Sequence, residues 1–167
     1  MTEDLSAIYI LDYPRYTKPE FNDAEDIYRV LGDSEDLQGT TFSRLQFASL
    51  AHVPFNRDPR RGVCRIVYYV LKDDDDALTL RRNDTLFPFP EFEPSEDDPI
   101  LCDAILGLTL AYTDAEGEPS DTWDSESSDN DYATPHAVTI RLTVGQAERP
   151  ITFTTRVPLH VYRKASE

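Results

Sequence analysis

Residues 63–71, VCRIVYYVL, are apolar at odd and even positions alike, with Arg65 the exception. A strand of that pattern has to be covered on both faces, so the rest of the chain must wrap a sheet from two sides. The aspartate run at 73–76 separates it from ALTLRR, residues 77–82, in the manner of a hairpin. Four consecutive carboxylates do not converge on one point, so the run reads as a solvated turn and not as a metal loop.

Further strands follow the same logic. FSRLQFASL, residues 42–50, alternates Leu45 and Phe47 with Arg44 and Gln46, as a half-buried strand does. ILCDAILGLTLAY, residues 100–112, reads as one core strand, too short and too interrupted to cross a bilayer. AVTIRLTV puts Val138, Ile140, Leu142 and Val144 on one face; a turn over 145–150 and one or two last strands in ITFTTRVPLHVY follow. LFPFPEFEPSEDDP, residues 86–99, carries four prolines and reads as a loop with Phe87, Phe89 and Phe92 partly tucked in.

The N-terminus favours a short helix over 2–11, with Thr2 as N-cap, Glu3 and Asp4 at its positive end, and Leu5, Ile8 and Tyr9 on one face. Pro14 would end it. Residues 12–40 are polar, with a helical turn around 24–31 and little sign of a strand. The fold class is therefore α+β: an N-terminal helix followed by mostly antiparallel β-sheets, in a single domain over 1–167.

Thirty-two acidic residues against sixteen basic ones give a net charge of −16, which opposes binding to nucleic acid or anionic lipid. Catalytic signatures are missing: no nucleophile elbow, glycine-rich phosphate loop or zincin helix occurs, and no cofactor is implied. His52, His136 and His160 stand apart in sequence and suit surface or edge positions. In the acidic stretch DTWDSESSDND, residues 121–131, Asp124, Glu126, Ser128 and Asn130 alternate like early calcium ligands. Asp129 stands where that loop needs glycine, however, and Pro135 where it needs glutamate, so the stretch reads as a mobile acidic loop. Cys64 and Cys102 both fall on apolar strand faces; a bridge and two separate buried thiols suit the pattern equally.

The order of these elements resembles a family. GVCRIVYYVLKDDDDALTLRR, ILCDAILGLTLAYTDAEGEPSDTWDS and TPHAVTIRLTV together look like the J-type minor pseudopilin of the type II secretion system. The family's Leu-x-Arg element corresponds to residues 80–82, and its leucine-rich strand ending in tyrosine to 106–112. Its glycine turn corresponds to Gly117, its tryptophan segment to Trp123 and its Pro-x-Ala-Val strand to 135–138. The resemblance implies a pilin-like fold in which residues 1–12 are the tail of a long spine helix and 42–163 form the β-rich body. It implies a non-catalytic subunit at the pseudopilus tip that helps to initiate assembly beside I-type and K-type minor pseudopilins. It implies a periplasmic domain of a protein anchored in the inner membrane of a Gram-negative bacterium, touching membrane only through an N-terminal helix that this sequence lacks. Leu5, Ile8 and Tyr9 would then meet partner helices, and the periplasm would permit a Cys64–Cys102 disulfide. A minor pilin of a type IV pilus and an extracellular carbohydrate-binding or adhesive β-domain, with Trp123 and exposed tyrosines stacking on sugar rings, are the competing readings.

Overall fold

A computed structural model describes residues 1–10, 26–53, 60–73 and 76–164. Among the described residues one α-helix, α1 (Thr2–Ser6), precedes ten strands: β1 (Leu31–Leu37), β2 (Thr40–Ser49), β3 (Cys64–Lys72), β4 (Leu78–Leu86), β5 (Ile100–Cys102), β6 (Ile105–Thr113), β7 (Pro119–Ser120), β8 (Trp123–Asp124), β9 (Ala137–Gln146) and β10 (Arg149–Pro158). Every pairing is antiparallel. One sheet has the order β5-β4-β3-β2-β1-β8 and the other β10-β9-β6-β7.

The doubly apolar segment becomes β3, inside the larger sheet. Its Cys64, Ile66, Tyr68 and Val70 join Leu45 and Phe47 of β2 in a core that also takes Leu108, Leu110, Val138 and Ile140 from the other sheet. Each such side chain contributes about 1.5–3 kcal/mol on burial. On the opposite face, Tyr69 is covered by the proline-rich loop. Its hydroxyl donates to Asp98 Oδ2 at 2.8 Å, and its ring packs edge-on against Phe92, centroids 5.2 Å apart. Arg81 fastens the same loop by donating to the carbonyls of Glu96 and Asp98 at 2.6 and 2.7 Å. Phe89 and Phe92 are half-buried, whereas Phe87 stays exposed.

The two sheets meet at a gap that only glycine can leave. A Cβ on Gly32 would lie 2.1 Å from the Tyr112 ring. Tyr112 in turn packs against Trp123, centroids 6.4 Å apart, and Trp123 pairs with Gly32 across β8 and β1. Nearby, the Ser43 hydroxyl accepts the Leu110 N–H at 3.0 Å, tying β2 directly to β6.

Several expectations need correction. Residues 12–40 do contain a strand, β1. Its polar side chains hid it because it lies near the sheet edge, where Arg44 holds Asp33 through a bidentate pair and Thr41 donates to Asp36 at 2.5 Å. Its register comes from a two-residue turn in which Gln38 and Gly39 both have positive φ, 55° and 79°. The expected single strand at 100–112 is divided between the sheets, with Ala104 at φ 52° where the chain crosses. A register shift between Ile105 and Gly107 then turns Ile105, Leu108 and Leu110 inward and leaves Leu106 only half-buried. ITFTTRVPLHVY gives one strand, β10. The helix ends at Ser6, and Ile8 is extended and bridges to Ser49 of β2, next to the Tyr9 N–H, which donates to the Ala48 carbonyl at 2.9 Å. Leu11 and Pro14 lie outside the described residues, as do 24 and 25 of the expected helical turn; Leu31 begins β1.

The sheet junction makes a test. Gly32→Ala should cost about 3 kcal/mol in equilibrium denaturant unfolding, because the new methyl must displace a packed ring. Tyr112→Phe should cost far less than Gly32→Ala, since among the described residues the Tyr112 hydroxyl has no hydrogen-bond partner.

Candidate functional site

A helix of five residues cannot hold itself together in water, so α1 depends on what grips it. Leu5 and Ile8 plug into the core. Asp4, just before Leu5, points into a buried polar cluster. Arg82 of β4 donates from Nε to Asp4 Oδ2 at 2.7 Å, from Nη1 to Asp84 Oδ2 at 2.7 Å and from Nη2 to the Ala51 carbonyl at 2.9 Å. The Tyr68 hydroxyl donates to the same Asp4 oxygen. Asp84 also accepts the Val53 N–H at 2.8 Å and contacts His52 Nδ1 at 2.7 Å. Only 4 % of the Arg82 side chain and 6 % of the Asp84 side chain reach solvent.

The electrostatics follow from that enclosure. Burial alone would lift the Asp84 carboxyl, but the Val53 N–H, His52 and Arg82 hold it below its ordinary range. Burial would likewise strip the proton from Arg82, and hydrogen bonds to Asp4 and Asp84 hold it on more firmly than usual. Burial and the bond to Asp4 push the Tyr68 hydroxyl well up. The cluster is a charged clamp joining α1 to β4.

Its chemistry is poor in reactive groups. Burial, with Asp84 close by, pushes the Cys64 thiol up to about 12, and Sγ donates to the Ser49 carbonyl at 3.3 Å, so no thiolate nucleophile forms near neutral pH. His52, Cys64 and Asp84 bring their ligand atoms within 4.8 Å of one another, a set that zinc accepts. Both Asp84 oxygens, however, are already engaged by His52, Val53 and Arg82, and the guanidinium would stand beside the cation. His52 is thus no surface residue, as its sequence isolation suggested. The structure leaves Cys64 and Cys102 as free thiols. They pair with opposite ends of β4, Cys64 with Leu86 and Cys102 with Leu80, which separates them by roughly 20 Å.

A second cluster organises the acidic stretch that was read as mobile. Asp124 binds Arg29 through two bonds, at 2.9 and 2.8 Å, and Glu126 lies 3.3 Å from the same guanidinium while accepting the Asp26 N–H at 2.8 Å. Arg163 reaches in from the C-terminal side, donating to Asp26 Oδ2 at 2.5 Å, the Ser125 carbonyl at 2.6 Å and the Tyr132 carbonyl at 2.8 Å. A 3-10 turn at Ser128–Asn130 closes the loop, with Ser127 accepting the Asp129 N–H at 3.1 Å. Burial opposes ionisation of both acids. Arg29 and the Glu126 N–H nonetheless hold Asp124 below its ordinary range, whereas burial prevails at Glu126 and raises it. The alternate acids therefore serve an arginine.

The residues quoted for the family resemblance take structural posts: Arg82 in the clamp, Tyr112 and Trp123 at the sheet junction, Gly117 in a turn at φ 92°. Residues 1–154 match the family described as type II secretion system (T2SS), protein J. The chain belongs to this family. No curated protein matches it. The chain is accordingly a J-type minor pseudopilin, a structural component of the type II secretion pseudopilus. Among the described residues no helix is long and apolar enough to cross a membrane.

Of the three residues expected to meet partner helices, Leu5 and Ile8 are spent on the pseudopilin's own core, at 1 % and 6 % exposure. Tyr9 is half-buried, its ring edge-on to Tyr28 at 5.7 Å. Trp123 is 5 % exposed and donates from Nε1 to the Ala133 carbonyl at 3.0 Å, so the sugar-stacking reading loses its tryptophan. The clamp itself was missed. Its signal was the pair Arg81 and Arg82 inside a strand, since adjacent arginines face opposite sides and each requires oxygen partners if buried.

Two measurements test the clamp, and a third tests the cysteines. Arg82→Met should cost about 3–5 kcal/mol by denaturant unfolding, because two carboxylates stay buried without their cation. A carboxyl depressed in the folded state contributes stability that is complete above its unfolded value, near pH 4, and is lost as pH falls through the folded value. Asp84→Asn should therefore lower stability at neutral pH and flatten the acid limb of the stability profile. Unfolding without reductant should expose two thiols to alkylation, read as two adducts by intact mass.

Proposed function

We propose that this pseudopilin is a non-catalytic subunit of the pseudopilus tip and helps to initiate assembly together with the I-type and K-type minor pseudopilins. Residues 1–167 act as one pilin-like domain, with 1–12 as the end of a spine helix and 42–163 as the body. The domain works in the periplasm of a Gram-negative bacterium, tethered to the inner membrane. Membership of the protein J family supports this reading. The observation that carries it is the Asp4–Arg82–Asp84 clamp: a subunit that assembles through its N-terminal helix must transmit load from that helix into its body, and the buried ion pairs make that joint. The raised thiol and the engaged carboxylates of the same cluster support the non-catalytic part.

With Leu5 and Ile8 turned inward, Tyr9 is the residue of the original three offered to a partner. Mixing the domain with the soluble domains of I-type and K-type subunits from the same organism should give a complex by size-exclusion chromatography. Tyr9→Ala should weaken it without shifting the melting temperature of the isolated domain by more than about 4 °C. No association with either subunit at about 100 μM would overturn the tip assignment.

A further inference from the structure

The smaller sheet departs from the rest of the chain in charge. In a protein of net charge −16, the strands β6, β7, β9 and β10 contain no aspartate or glutamate and carry three arginines, Arg141, Arg149 and Arg156. Register places Thr109, Arg141 and Thr154 in one row across β6, β9 and β10, with Thr139 beside Arg156 and Thr143 beside Thr152 in the neighbouring rows. A Thr143–Thr152 hydroxyl contact at 3.0 Å confirms the shared face. That face points away from the core, since Val138, Ile140 and Leu142 occupy the other parity of β9.

Strand β10 ends this sheet, and no described residue pairs with its outer edge. Long free edges are normally blunted by lysine, a bulge, an interior proline or an inward-pointing charge. Here the β9–β10 register runs unbroken for ten pairs, and the prolines stand only near the ends, at 150 and 158. The first half of the inner side of β10 is bare as well: Ile151 and Phe153 share the parity of Leu142 and Val144, yet each is 58 % exposed, whereas Val157 further along is buried.

We propose that β10 is an acceptor for an extended acidic segment of a partner protein, which adds to the sheet as a further strand. Its backbone pairs with the free edge, its carboxylates lie over the threonine and arginine face beside Arg156, and its alternate apolar residues cover Ile151 and Phe153. The arginines also reject the simplest competitor, since two β10 edges from two copies would bring like charges together. The proposal stands on the sheet alone and is independent of the tip assignment.

The test uses the whole chain and a capped ten-residue peptide alternating glutamate with valine, with a lysine–valine peptide as control. Backbone amide exchange followed by NMR should show β10 amides gaining protection on titration with the glutamate peptide only. Arg156→Glu, an exposed change that leaves the fold intact, should weaken binding at least about fivefold, and added salt should weaken it too. No binding at about 1 mM, equal binding of the lysine peptide, or protection confined to other strands would overturn the proposal. Self-association of the chain by sedimentation, abolished by Arg156→Glu, would overturn it in favour of a second copy as occupant.

Discussion

Arg82 is the one side chain of the cluster that bonds at once to α1, to its own strand and to the segment after β2. Its guanidinium lies between Asp4, at the start of the molecule, and Asp84, two residues further along its own strand, and its third bond reaches Ala51 beyond the end of β2. Two opposite charges about 4 Å apart attract by about 4 kcal/mol at an effective dielectric constant of 20, while taking each ion out of water costs several kcal/mol. The net gain is small, and the penalty for leaving any one member unpaired is large. The clamp therefore decides where α1 lies more than how tightly it is held. The Leu5 and Ile8 side chains supply adhesion without direction, and the charged pair at Asp4, with the backbone bridge of Ile8 to Ser49, supplies the register.

Excess acidity is handled by the same means throughout. Arg29, Arg44, Arg82 and Arg163 each hold a carboxylate of a distant or neighbouring segment, and Arg81 holds carbonyls of the proline-rich loop. Arginine suits these posts because its planar fork satisfies two oxygens at once, as at Asp33 and Asp124. Asp98 is held instead by Tyr69 and Asn83, and the repulsion among the remaining excess of negative charge opposes compaction until salt screens it. A surface so dominated by one sign gives the acid-free smaller sheet its contrast.

Legibility in the sequence followed the strength of the periodic signal. β2 and β9 were readable because Leu45 and Phe47, and Val138 to Val144, leave little choice of face, and β3 because the run Val63 to Leu71 demands cover on both. β1 was unreadable because LGDSEDL has no apolar alternation, and what makes it a strand is its turn at Gln38 and Gly39 and its partner β2. The division of 100–112 between two sheets was unreadable because Asp103 is a lone turn former inside an apolar run, and the positive φ falls on Ala104, which has no turn habit. Period-two counting from Cys102 puts Ala104, Leu106, Leu108 and Leu110 on one face; with the shift after Ile105, Leu108 and Leu110 are buried, whereas Ala104 is exposed and Leu106 half-buried. In the clamp, Cys64 was placed correctly on the core face, but Asp4, His52 and Asp84 lie 60, 12 and 20 positions from it, and no local spacing reveals a contact made by sheet pairing. The acidic tract was misread for the same reason, since Arg29 lies 95 residues before Asp124.

Trp123 and Asp124 show how closely the two structural nodes are coupled. They are consecutive residues of a two-residue strand, and alternation sends one inward against Tyr112 and the other outward onto Arg29. Any shift of the acidic tract would thus move the tryptophan that fills the space beside Gly32, so the surface cluster and the sheet junction must adjust together. Arg163 extends this node to the C-terminal side, and Ser49 extends the clamp node by donating to the Ala7 carbonyl at 3.0 Å. Between them the nodes fasten the N-terminal segment, β1, β8 and the C-terminal residues. The β9–β10 hairpin pairs with β6, touches α1 and buries Val138, Ile140 and Val157 in the core, and among the described strands none pairs with the outer edge of β10.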